Sequence, residues 1–179
     1  MKRGHLIVIE GIDGTGKGTQ ARMLMDALAR ARRPAELFSF PSYSKTLSGS
    51  LVGAYLNGEM GEPKSIDSRL SAVLYALDRF ELKEQLERAL ARGRLVVCDR
   101  YVGSNLAHQA ARTPAARRRA VRELIERLEY EVLGLPRPEL VVLLDMPASL
   151  AQQRVLTKGA RDYTRKQLDA HEADAAHLR

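Results

Sequence analysis

One short segment holds the densest chemistry in this chain: Gly11-Ile12-Asp13-Gly14-Thr15-Gly16-Lys17-Gly18-Thr19. Glycines at this spacing let consecutive backbone N–H groups converge on phosphate oxygens. A helix opening behind them adds its positive N-terminal dipole, and Lys17 brings a mobile cation to β- and γ-phosphates. Gly11, Asp13, Gly14, Thr15, Gly16, Lys17, Gly18 and Thr19 therefore read as a loop for a nucleoside triphosphate such as ATP. One position departs from the usual pattern: Gly18 stands where a Ser or Thr normally binds magnesium, and the nearest hydroxyl is on Thr19. A second constellation suits an anionic acceptor. It comprises Phe40-Pro41-Ser42-Tyr43, the segment Leu74-Tyr75-Ala76-Leu77-Asp78-Arg79-Phe80, and Asp99-Arg100-Tyr101. Asp99-Arg100 is equally a common strand-end ion pair, but open α/β sheets bind ligands at the C-terminal ends of strands, where this pair falls. Tyr75 and Arg79, four apart, share a helix face. On spacing alone they could also be a core tyrosine beside a surface arginine.

These residues need elements to hold them. Short β-branched runs at 6–10, 36–40, 95–99 and 140–145 alternate with segments of helical period, the pattern of a parallel sheet covered by helices. The period predicts a helix over 19–32 and one long helical region over 65–92 with Gly93 as its C-terminal cap. A further helix starts with Thr113 as N-cap and Pro114 at its first position. It presents Val121, Leu124, Ile125, Leu128 and Val132 on one face and stops at Gly134. No repeat or linker divides the chain, so 1–179 is expected to be a single domain.

Composition narrows the classes. With 45% hydrophobic residues among 179 the chain can bury a core, which argues against disorder, and a lone Cys98 excludes a disulfide scaffold. The apolar run behind the basic N-terminus ends at Glu10, and no later run approaches the roughly 20 residues of a membrane span. A cytoplasmic protein without a membrane partner is expected. The formal charge of +7 favours anionic partners. Arg117-Arg118-Arg119 lies among glutamates on a helix and reads as a solvated face rather than a nucleic-acid patch.

The order and spacing of the phosphate loop, Phe-Pro-x-Tyr, Ala-Leu-Asp-Arg and Asp-Arg-Tyr-Val-Gly-Ser-Asn resemble the thymidylate kinase family through nearly the whole chain. The Gly-Lys-Gly-Thr-Gln variant also resembles adenylate kinases. The resemblance implies an α/β three-layer phosphate-loop fold with a lid over about 154–166. Relatives have five strands where four are visible here, so the expectation is a sheet lacking the family's C-terminal strand and helix. It implies transfer of the γ-phosphoryl of MgATP to dTMP by a homodimer, with no nucleic acid involved. Arg100 would hold the acceptor's 5′-phosphate, and Asp99 would orient Mg2+ or its waters, with Thr19 as a further candidate. Tyr75 would stack on thymine and Arg79 would bond a base carbonyl. Phe40, Pro41 and Tyr43 would line the acceptor pocket, with Asn105 and His108 near base and deoxyribose and Asp13 reaching the sugar or metal. His108 stands where bacterial members commonly have Tyr, and a surface role suits it equally. The loop contains no arginine, so the charge on the migrating group falls to a lid holding Arg154, Lys158, Arg161 and Arg165; Arg154 and Arg161 are favoured as catalytic. Other monophosphate or nucleoside kinases and a basic regulatory ATPase are the alternatives. Arg100, dedicated to a phosphate, argues against a nucleoside acceptor.

Overall fold

The computed structural model describes residues 2–156. Four strands, β1 (Leu6–Glu10), β2 (Ala35–Ser39), β3 (Leu95–Asp99) and β4 (Leu140–Leu143), form one sheet in the order β2-β3-β1-β4. All three pairings are parallel, with Ile9 of β1 level with Asp99 of β3 on one side and Val142 of β4 on the other. The chain leaves β1 for β2 beyond β3, whereas β4 lies on β1's other flank. The loop after β1 therefore opens at the switch point of strand order, where α/β sheets form a crevice.

Seven α-helices accompany these strands among the described residues: α1 (Lys17–Arg30), α2 (Leu47–Asn57), α3 (Ser68–Glu81), α4 (Lys83–Ala91), α5 (Val102–Ala111), α6 (Ala115–Glu126) and α7 (Ala148–Leu156). Alternate strand residues face different layers. Leu6, Val8, Val96 and Cys98 join a core with Leu86, Leu90, Val102 and Ile125, while Ile9 and Val97 pack with Ala21 of α1. Being buried on both faces, β1 and β3 read as continuous apolar runs. Edge strand β4 is exposed along all four residues.

Several boundaries differ from the sequence expectation. Helix α1 begins at Lys17 rather than 19, because Gly16 (φ +90°) turns the chain directly into it. The expected long helix over 65–92 is two helices that meet at Leu82 (φ −98°, ψ 0°), a joint whose apolar side chain preserves the helical period. Helix α2 was not anticipated. Its Ser- and Gly-containing sequence hides the period, but Thr46 caps it by accepting the Gly49 N–H, and it packs on α3. Strands β2 and β4 end earlier than 40 and 145. The helix expected behind Thr113 starts at Ala115, with Pro114 at the cap, and passes after Glu126 into a π-helical turn over Arg127–Val132. The Phe40–Pro41 peptide bond is cis.

Candidate active site

Gly16, as N-cap, carries no side chain to bond the first-turn N–H groups of α1, so these donors face the crevice. Lys17 folds back beneath the loop. Its ammonium donates to the Ile12 carbonyl at 2.8 Å and lies 3.8 Å from Asp13 Oδ1. Burial lowers its pKa to about 8, helped by the charge of Arg100 and opposed by Asp13, Asp99 and Glu10. Thr15 and Gly11 shape the loop from within. The Thr15 hydroxyl donates to the Ile12 carbonyl, and a Cβ on Gly11 would lie 2.8 Å from that hydroxyl.

Two other glycines permit close approaches. A Cβ on Gly14 (φ +89°) would sit 2.1 Å from the Ala151 carbonyl oxygen of α7, so the loop is seated directly on that helix. A Cβ on Gly18 would lie 3.0 Å from Asp99 Oδ2 and 3.7 Å from Arg22 Nη1. The carboxylate of β3 thus lies close against Gly18 and would have to give by a few tenths of an ångström for a Ser or Thr there; burial raises its pKa against the charges of Arg100 and Lys17.

Arg100 has a left-handed backbone (φ +66°), a strained state for a residue with a Cβ, held by its N–H bond to the Ile9 carbonyl. Its guanidinium pairs with Asp13 and donates to Ser104 Oγ at 3.1 Å, and His108 Nε2 lies at 3.4 Å. Burial opposes its charge, but Asp13, Glu10 and Asp99 together raise its pKa. Glu10 secures the turn behind it by accepting the Tyr101 and Ser104 N–H groups and the Ser104 hydroxyl.

The acceptor side is assembled from buried side chains. Arg79 donates through Nε and Nη2 to both oxygens of Glu129, at 2.5 and 2.6 Å, and neither side chain is more than 2% exposed. Asn105 Nδ2 donates to the same carboxylate at 2.7 Å. The neighbouring Asp78 holds the 42–46 turn by accepting the Ser42 N–H and the Thr46 hydroxyl, with burial raising its pKa.

These two sides enclose one cavity of about 760 Å³. Asp13, Gly14, Gly16, Lys17, Gly18, Thr19, Asp99 and Arg100 line its donor end. Phe40, Pro41, Tyr43, Tyr75, Arg79, Asn105 and His108 line the other. Gly11 and Thr15 lie behind the wall. Arg154 is exposed in the last turn of α7 and does not line the cavity. Lys158, Arg161 and Arg165 fall outside the described residues.

Sequence reasoning missed Glu129, Gln109, Arg22 and Ser104. A signal existed for Glu129, which falls four residues after Ile125 on the apolar face of its helix. Arg22 follows Gly18 by one helical turn. Among the described residues no three His, Cys, Asp or Glu side chains cluster to hold a metal by themselves.

A family model described as thymidylate kinase matches residues 9–176. The thymidylate kinase of Mycobacterium tuberculosis is 37% identical over 171 residues, covering 95% of this chain and 78% of that protein. The human enzyme is 31% identical over 153 residues, covering 86% and 66%. A solved structure of the Candida albicans thymidylate kinase superposes with a TM-score of 0.72 at 26% identity, covering 95% of this chain and 71% of that one.

Proposed function

The chain belongs to the thymidylate kinase family, and from that premise we propose how its cavity phosphorylates dTMP. The reaction gives dTDP, with ATP as the donor the family uses. The observation that carries the reading is a single cavity with a phosphate loop at one end, a buried Arg79–Asn105 pocket at the other, and Arg100 between them.

The first-turn N–H groups of α1 and Lys17 hold the ATP phosphates. Arg100 takes the acceptor's 5′-phosphate, its fork steered by Asp13 and the left-handed backbone, so that two anions meet at reacting distance. Tyr75 stacks on the base, Arg79 donates to a base carbonyl, and Asn105 and His108 contact base and sugar. Phe40, Pro41 and Tyr43 enclose the nucleotide. Mg2+ fits this donor set. It is usually bound by one or two carboxylates together with substrate phosphates, and Asp99 lines the cavity beside the loop where Gly18 makes room for it. When bound, magnesium neutralises charge on the phosphates being exchanged. Thr19 remains the further candidate ligand.

A loop arginine at position 14 is excluded by the Ala151 carbonyl, which supports the lid, through Arg154 or Arg161, as the source of charge on the migrating phosphoryl group. The family's homodimer is supported by exposed Leu70, Leu77 and Phe80 on α3. No helix among the described residues is long and apolar enough to cross a membrane. The lone cysteine suits a reducing, cytoplasmic setting.

The test is ADP release in the presence of dTMP, dUMP, dCMP, AMP or no acceptor. Release that depends on dTMP is expected. Acceptor-independent hydrolysis would instead identify a regulatory ATPase, and a preference for another nucleotide would reassign the acceptor.

A further inference from the structure

Gly18 leaves a bare spot on the first turn of α1, where a phosphate loop usually carries a hydroxyl. Two groups border that spot. Outside the helix backbone and its own chain neighbours, a Cβ there would meet Asp99 Oδ2 at 3.0 Å and Arg22 Nη1 at 3.7 Å, and nothing else within 4 Å among the described residues. The carboxylate comes from the end of β3, and the guanidinium from one turn further along α1.

The approach of Arg22 has a simple cause. Helical side chains lean toward the N-terminus, so a residue covers the turn before its own Cα. Arg22 therefore lies over position 18, and glycine leaves its path open to the helix end where the free N–H groups gather.

Two observations separate Arg22 from an ordinary solvated arginine. Although exposed, it lines the cavity together with Lys17 and Asp99. It also makes no hydrogen bond or ion pair among the described residues, not even with nearby Asp99, whereas Lys17, Arg79 and Arg100 are each held by a partner within the fold. A guanidinium presents its donors in a planar fork matched to phosphate oxygens, and here that fork is uncommitted.

The chemistry has a use for it. Gly14 and Thr15 bring no arginine into the loop, and Arg154 does not line the cavity. As the bond from the γ-phosphorus to its bridging oxygen breaks and one to a dTMP phosphate oxygen forms, negative charge moves onto the departing ADP. First-turn N–H groups of such a loop serve the α- and β-phosphates, so a donor lying over that turn meets the β-phosphate.

We propose that Arg22 is a further catalytic residue, its guanidinium passing over Gly18 to donate to the β-phosphate of ATP. This deepens the reading of the loop as the ATP site and rests on it.

Arg22→Gln removes charge and fork from an exposed position, so its urea midpoint should match wild type. Calorimetric titration with ADP and with ATP in EDTA reads the contact without metal or acceptor. Both nucleotides should bind roughly tenfold more weakly, and dTMP as well as before. In steady state kcat/KM for ATP should fall roughly 10- to 100-fold with the KM for dTMP unchanged, and Arg22→Lys, which keeps the charge but not the fork, should recover part of the loss. Wild-type affinity of Arg22→Gln for both ADP and ATP overturns the proposal and leaves Arg22 a solvated helix residue. A loss confined to ATP overturns the β-phosphate assignment, and an equal loss for dTMP overturns a direct contact, since a disturbed helix would produce it. A wild type that binds ATP but leaves dTMP unphosphorylated would overturn the underlying function instead, while the ADP titration would still decide the role of Arg22.

Discussion

The donor and acceptor ends of the cavity are built on opposite principles. At the donor end the binding groups are main-chain N–H groups of one contiguous segment, and the single buried ammonium sits there at an energetic cost, as its pKa of about 8 records. At the acceptor end the groups are side chains drawn from α3, α5 and the π-helical turn, and Arg79, Asn105 and Glu129 bond one another before any substrate arrives. Function and stability are separable in the first region and fused in the second.

Substitution of Lys17 by Met is the strongest way to break that contrast. Turnover should fall by roughly three orders of magnitude or more, because electrostatic stabilisation of the transferring group dominates such reactions. Stability should stay level or rise, since an unfavourably desolvated charge is removed. A large loss in urea midpoint would refute the separation. Glu129→Gln should do the reverse in kind: it leaves Arg79 charged and uncompensated, costing roughly 3–5 kcal/mol of unfolding free energy and weakening dTMP binding together. Calorimetric stability unchanged beside weakened binding would show that the acceptor end is not fused after all.

Thr46→Val is a finer probe. It removes the hydroxyl donated to Asp78 and the α2 cap, and should cost about 1–2 kcal/mol while raising KM for dTMP more than for ATP. The smallest effect is in pH. Between about pH 8 and 10.5 the unfolded chain keeps a proton on Lys17 that the folded protein has released, so this group makes stability rise with pH across that window. ATP affinity should fall over the same range as the ammonium is lost. Urea midpoints at the two ends of the window, for wild type and Lys17→Met, measure it; the rise should vanish in the variant.

The same contrast explains what was legible in the sequence. A loop made of backbone donors must be contiguous, so its glycines, Lys17 and the flanking strand and helix could be read in a row. The strand ends at Asp99 and Arg100 were legible for a related reason, because sheet topology brings them beside the loop. Glu129 and Gln109 act on residues far away in the chain, and nothing local marks which distant partner each meets. The α3–α4 joint was invisible because Leu82 carries the apolar period across it, and α2 was hidden by small residues that serve its packing rather than its amphipathicity. Arg79 was expected to contact a base from the resemblance, but its pairing with Glu129 was not foreseen.

The contact between Gly14 and the Ala151 carbonyl bears on how such enzymes can be re-engineered. A bulky residue grafted onto the loop at that point would arrive only by unseating α7. Arming the loop and keeping the present seating of α7 are therefore competing designs, and if the lid proposed above supplies the catalytic charge, moving it into the loop would require coordinated changes on both sides of the contact rather than a single exchange.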